Sequence, residues 1–221
     1  MKKIMMIAAM MIATMSASAQ NEVGQITLKP TAGVNLASMT NSTDPKMRIG
    51  LTAGVEAEYG VAENFGITAG VFYSQQGVKF EGTENESLYV DYQLVGGASF
   101  EGKATYKLDY INIPIMAQFY PVKGLAIKAG VQPGFNVLKK EHRDGTWTTA
   151  GVLGGNKQTV DEDYDLDGVK GFNLSIPMGL SYEISDFVID ARYNLGVTKI
   201  FDNSDNKHSV FTFTLGYKFA L

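Results

Sequence analysis

Nine charged side chains, Lys29, Arg48, Glu56, Glu58, Lys128, Glu183, Asp190, Arg192 and Lys218, stand among Gly, Ser, Thr and Asn at alternate positions of otherwise apolar runs. Asp190 and Arg192 are two residues apart, so an extended chain puts both on one face. Glu56 and Glu58 share a face in the same way and can meet Lys29 or Lys128 on neighbouring strands. Sparse charges of both signs suit a crowded interior, where each carboxylate needs a cation or a donor within reach. Two readings follow: a lumen plugged by an ion-paired, hydrogen-bonded network, or a narrow wet channel lined by a handful of charges.

A second constellation is acidic. "DEDYDLDG" places Asp163, Asp165 and Asp167 at the spacing of a calcium loop's first ligands, with Gly168 at the turn. The bidentate Glu that closes such a loop is missing, because Leu174 stands in its place. A solvated acidic loop over residues 161–168 is therefore preferred to calcium, and no other cofactor is indicated. A hydrolase needs a base within reach of a nucleophile. His142 and His208 fall in long connections, and His208 merely adjoins Ser209, so no enzyme is expected. "VGG" and "LGG" open no helix, which leaves phosphate binding without support.

The elements that position these groups are strands. A period of two recurs in eight runs of 10 to 13 residues: "ITLKPTAGVNL", "RIGLTAGVEAEYG", "FGITAGVFYSQQG", "YINIPIMAQFY", "LAIKAGVQPGFNV", "FNLSIPMGLSYEI", "FVIDARYNLGVT" and the closing "SVFTFTLGYKFAL". Short links at 61–64, 121–124 and 185–186 alternate with long ones at 38–46, 78–104, 139–169 and 200–208. Such alternation puts tight turns on one rim and long loops on the other. The expected fold is all-β: an eight-stranded antiparallel up-and-down transmembrane β-barrel with short periplasmic turns and longer extracellular loops. Pro114, Pro133 and Pro177 each remove a ladder hydrogen bond, and local bulges are expected there.

Export is written at the start of the chain. "MKKIMMIAAMMIATMSASAQ" has two lysines, an apolar stretch from Ile4 to Met15, and small residues at Ala17 and Ala19. Residues 1–19 are expected to be a cleaved signal peptide and residues 20–221 the barrel domain. Loss of Lys2 and Lys3 moves the formal charge from -4 to -6, which disfavours nucleic acid as a partner. No cysteine is available for disulfides, so packing and hydrogen bonding hold the fold.

Alternation alone does not say which face is outside, since a soluble ligand-binding barrel has the same period with its apolar side inward. The composition of the polar face and the placement of rings favour lipid outside. Tyr59, Phe65, Phe119, Tyr182, Phe187 and Phe219 lie by the short turns. Tyr73, Phe135, Phe172 and Phe211 lie by the long loops, as two aromatic girdles would.

"LDYINIPIMAQFYPVKGLAIKAGVQPGFNVL" resembles the central strand–turn–strand of the PorT-like outer-membrane β-barrel family. The late hairpin is similar too, with Asp190, Arg192, Tyr193 and Gly196 matching its Asp-x-Arg-Tyr-x-x-Gly pattern. The resemblance implies a porin-like barrel of the Gram-negative outer membrane, bathed by its lipids and inserted by the barrel-assembly machinery. That machinery reads a terminal aromatic; here Phe219 precedes the final Leu221 by two residues. Function is expected in the two longest loops, which carry Tyr89, Tyr92, Phe100 and Trp147, as binding of a protein or surface ligand or as a structural envelope role. A narrow channel for small solutes is the alternative.

Overall fold

The computed structural model describes residues 23–90, 93–151 and 155–221. The expected signal peptide and Tyr92 lie outside the described residues, and of Tyr89 only the backbone is described. Every regular element among the described residues is a strand: β1 (Ile26–Met39), β2 (Arg48–Ala62), β3 (Phe65–Val90), β4 (Gln93–Asn112), β5 (Ile115–Val122), β6 (Leu125–Gly151), β7 (Asn156–Asp165), β8 (Phe172–Ile184), β9 (Phe187–Gly196), β10 (His208–Tyr217) and β11 (Phe219–Ala220).

β4 and β5 form one span interrupted at Pro114, and β10 and β11 one span interrupted at Lys218. Eight antiparallel spans result. The ring closes where β1 pairs with β10 from Thr31↔Gly216 to Met39↔His208, and with β11 at Leu28↔Phe219. Closure leaves no strand edge in the barrel wall, as hydrocarbon requires. At the short-turn rim, Gly124 (φ 82) and Ser185 (φ 55) adopt the left-handed backbone that tight hairpins favour.

Side chains divide as a lipid-facing barrel demands. Ile49 is 69% exposed and Leu215 55%, both outward, whereas the inward Asn35 and Thr68 are at 0%. A soluble barrel would invert this, so that reading is set aside. Both girdles are outward: Tyr59, Phe119, Tyr182 and Phe187 are exposed near the short turns, and Tyr73, Phe135, Phe172 and Phe211 near the other rim. Phe65 and Phe219 are half-buried.

The prolines behave unequally. Pro114 breaks the β4–β5 span, yet Gly70 N donates to its carbonyl (3.0 Å) and Ile113 N to that of Pro133 (2.8 Å), so the neighbouring bonds survive. Opposite Pro177 the β6–β8 pairing lapses between Ala129↔Met178 and Gln132↔Ser175. Pro133 itself pairs with Leu174 without a bulge, contrary to expectation.

At the far rim the alternation changes phase. On β1 the outward Leu36 is followed by inward Ala37 and Met39; on β10 inward Val210 precedes outward Phe211, and these residues are cross-strand partners. On β4 inward Leu108 and Tyr110 give way to Ile111 on the outer side. On β3 the even positions stay inward throughout, and beyond Gly77 they change from Ser74 and Gln76 to the apolar Val78 and Phe80. The cause is the surroundings: inside the bilayer apolar side chains face lipid, and above it they turn away from water.

The connections expected as loops over 78–104 and 139–169 are mostly strand. β3 stays paired with β4 to Val90↔Gln93, β4 with β6 to Gly96↔Gly151, and β7 joins β6 from Thr149↔Asn156 to Lys140↔Asp165. A four-stranded sheet thus rises above the rim, by roughly 40 Å at ~3.3 Å per residue.

Candidate functional site

The lumen is filled in layers. Nearest the short turns, Lys218 Nζ lies 3.0 Å from Glu183 and 3.5 Å from Glu58. Glu58 Oε1 also accepts from Gln118 Nε2 (2.8 Å) and Tyr120 (2.6 Å). One step inward, Glu56 faces Lys29 directly across β1–β2 at 2.6 Å and meets Arg192 at 2.7 Å. Lys128 lies 2.7 Å from Asp190, which also takes Arg192 Nε at 2.6 Å. Lys128, at 0% side-chain exposure, is 3.6 Å from Glu56, so all five groups form one cluster. Glu56 Oε1 is thus shared by two lysines, Lys29 at 2.6 Å and Lys128 at 3.6 Å.

Taken together the two layers hold four cations and four anions, which is what burial of charge demands. Small neighbours make room for the long side chains. A Cβ on Gly179 would stand 2.9 Å from Arg192 Cγ, and one on Gly216 would stand 2.8 Å from Lys29 Cγ. Arg192 also lies over the Phe72 ring, 5.6 Å from its centroid.

Above the charges sits a layer of amides and hydroxyls. Asn194 donates to Thr212 (3.0 Å), Thr212 to Asn35 (2.8 Å) and Asn35 to Ser74 (2.9 Å), which links β9, β10, β1 and β3 across the bore. A cavity of about 20 Å³ remains between this layer and Arg192, close to what one water needs. His208, expected in a loop, begins β10, is buried, and shares a 3.0 Å hydrogen bond with Tyr110. Over it Met39, Val78, Leu108, Tyr110, Val169 and Ile200 form an apolar cap. The last connections hold it down: Lys170 N donates to Ile200 O (2.8 Å) and Asp202 N to Gly168 O (3.1 Å). Nothing in the charge pattern announces this cap; its signal is the phase flip, visible as adjacent apolar residues at Tyr110–Ile111 and Val210–Phe211.

Eight of the nine charges singled out in the sequence come together in the bore. Arg48 does not: it sits at the far end of β2, where β2 and β3 part, donates to Gln76 O and lies 3.6 Å from Asp109. Asp109 also accepts from the Tyr73 hydroxyl. The family-like motif of the late hairpin gains a physical reading. Asp190 and Arg192 serve the ion cluster, Tyr193 bonds Ser209 at 3.0 Å, and Gly196 admits the His208 backbone, since a Cβ there would stand 2.6 Å from His208 O.

The acidic segment, expected as a loop, is strand through Asp165. Asp163 and Asp165 lie in β7, and Asp167 follows it. Asp163 pairs with Lys107 (2.9 Å) and with His142 (3.0 Å), and its carboxyl is held below the usual range chiefly by the Lys107 hydrogen bond. Among the described residues no three potential ligands converge on a metal position. His142 is in the extension strand β6, not in a loop. Phe100 and Trp147 are cross-strand partners in the extension with ring centroids 5.1 Å apart.

Known proteins resemble this arrangement in fold. The Yersinia pestis attachment invasion locus protein Ail is 14% identical over 90% of this chain and 100% of that one, with a TM-score of 0.43. Neisserial surface protein A is 14% identical over 93% and 100%, with a TM-score of 0.45. The N-terminal β-barrel domain of Pseudomonas aeruginosa OprF is 11% identical over 89% and 98%, with a TM-score of 0.37. No curated protein matches the sequence. Residues 18–202 match the family described as "Outer membrane protein beta-barrel domain", and the chain belongs to that family of transmembrane outer-membrane barrels.

Proposed function

We propose that the barrel is a closed anchor in the outer membrane and that its task is carried by the sheet it holds outside. The observation that carries this reading is the filled bore. Ion clusters, an amide layer and an apolar cap stack one above another, and eight-stranded barrels have interiors that side chains fill. The narrow-channel alternative needs a continuous wet path, which the cap interrupts at the outer mouth. A rigid sheet over a plugged barrel is suited to binding a protein or surface ligand, or to a structural role in the envelope. This reading assigns the protein no enzymatic step and no cofactor.

The route to the membrane belongs to the same proposal: processing after Ala19, insertion by the barrel-assembly machinery, and a place within the PorT-like subgroup. The matching Asp190, Arg192, Tyr193 and Gly196 support that placement. The test replaces residues 81–101 and 142–162 by tight turns while leaving the bore intact. Cells carrying the trimmed barrel are expected to insert it normally yet lose surface binding or envelope integrity. Unchanged behaviour in both respects would refute the assignment of function to the extension.

A further inference from the structure

Where the first and last spans meet, the lipid-facing surface is hollowed. Pairing of β1 with the final span lapses between Leu28↔Phe219 and Thr31↔Gly216, and the unbroken register sets Pro30 opposite Tyr217. Proline has no N–H to give that ladder. Beside it, Ala32 faces Leu215 on one neighbour and Ala53 on the other, so small side chains continue across the seam. A groove of about 400 Å³ lies over Pro30, Ala32 and Ala53, walled by Leu215, Tyr217 and Phe187. Phe187 and Tyr217 are cross-strand partners whose rings meet edge to face at 5.1 Å. That aromatic wall ends on a carboxylate: the Tyr217 hydroxyl donates to Asp186 Oδ2 at 3.1 Å, and Asp186 stands in the short turn just before Phe187. A carboxylate has about four acceptor positions, and this hydroxyl occupies one. No ion pair joins Asp186 among the described residues, whereas Glu183 on the same hairpin has Lys218 inside the bore.

We infer that this seam groove holds one chain of a periplasmic-leaflet phospholipid whose headgroup is a primary amine, with the ammonium on Asp186. The groove faces lipid, and an empty hollow forfeits dispersion contacts, so a lipid chain fills it. Lipid tails are as apolar as the groove itself, so the groove fixes where a chain lies and not which lipid supplies it. Asp186 makes that choice by charge and by hydrogen bonding. It stands at the level of the short-turn aromatic girdle, the depth of the headgroups. A primary ammonium there brings a positive charge and three donors to a carboxylate with acceptor positions to spare. A trimethylated ammonium brings the same charge without a donor, and an anionic headgroup is repelled. The site is independent of what the extension binds, since it lies at the opposite rim.

The full mature chain, folded in a non-ionic detergent, is titrated with palmitoyl-oleoyl phosphatidylethanolamine or with the phosphatidylcholine of the same chains, and bound lipid is read by native mass spectrometry. The two lipids differ in the methyl groups on the headgroup nitrogen. The parent is expected to hold the ethanolamine lipid about tenfold more tightly, on the scale of one hydrogen bond to a charged group. Asp186→Asn is expected to reduce that preference to about twofold or less. Ala32→Leu fills the groove from the lipid side of β1 and is expected to weaken both lipids. Ala53→Leu does the same from β2 and takes its place if Ala32→Leu gives no folded band on a semi-native gel. Equal binding of the two lipids by the parent, or a preference that survives Asp186→Asn, would overturn the inference by removing the headgroup contact. A parent that retains neither lipid, or a folded leucine variant that retains both as the parent does, would overturn it by removing the groove.

Discussion

Glu56 is the most connected charge in the bore, and neutralising it gives the sharpest test of the ion cluster. Its carboxylate is buried and touches Lys29, Lys128 and Arg192. Glu56→Gln keeps the volume but leaves those three cations facing Asp190 alone, which raises the excess positive charge of the cluster by one. Removing one partner of a buried pair costs about 3–5 kcal/mol. For a domain near 200 residues each kcal/mol shifts the midpoint by about 2–4 °C, so the variant is expected to melt roughly 6–20 °C below the parent. Adding Lys29→Met restores the original excess and is expected to recover more than half of the loss. The assay is the temperature at which the folded band converts to the unfolded one on a semi-native gel. A single variant within about 2 °C of the parent, or a double variant no better than the single, would refute the reasoning.

Three further outcomes follow from the same geometry. Gly179→Ala forces a Cβ to 2.5 Å from Ala191 O and 2.9 Å from Arg192 Cγ, so about 1–3 kcal/mol of overpacking should appear as a lower folded fraction on refolding into vesicles. Ile200→Ala empties part of the apolar cap and should destabilise the last connections by about 2–5 kcal/mol, seen as faster hydrogen exchange near Lys170 and Asp202, while the bore stays shut because the charge layers are untouched. Asp163 is held below its ordinary value by the Lys107 hydrogen bond, so its contribution to the extension is complete above the ordinary carboxylate range and is lost only as pH falls through the depressed value. The protection of β7 amides, corrected for the intrinsic pH dependence of exchange, should therefore be lost only as pH falls below the ordinary carboxylate range, and Asp163→Asn should remove that loss.

The barrel was legible because its solvent repeats itself: every span crosses the same hydrocarbon, so period two holds from Ile26–Leu36 through Phe211–Leu221. Eight of the nine charges expected in the bore lie there for the same reason, being the exceptions on a face of small polar residues. Arg48 escaped because it sits where β2 and β3 part, and register beyond that point is not set by the lipid pattern. The extension was missed because its apolar face changes sides above the bilayer. Tyr106, Leu108 and Tyr110 alternate as regularly as any span, but one step out of phase with Ile111 and Ile113, and glycines at 82, 102 and 145 blank out positions where a ring would have marked the strand. The acidic motif misled in the other direction: its i, i+2, i+4 spacing is that of one face of a strand as much as of a ligand loop, and pairing with β6 decides for the strand.

The central claim is that the bore is shut. The most direct measurement is the current through the processed wild-type protein inserted singly in a planar lipid bilayer. Under a steady applied voltage the trace should remain at the leak level of the bare membrane, broken at most by rare brief events. A stable, ohmic open state that scales with salt concentration would contradict the account.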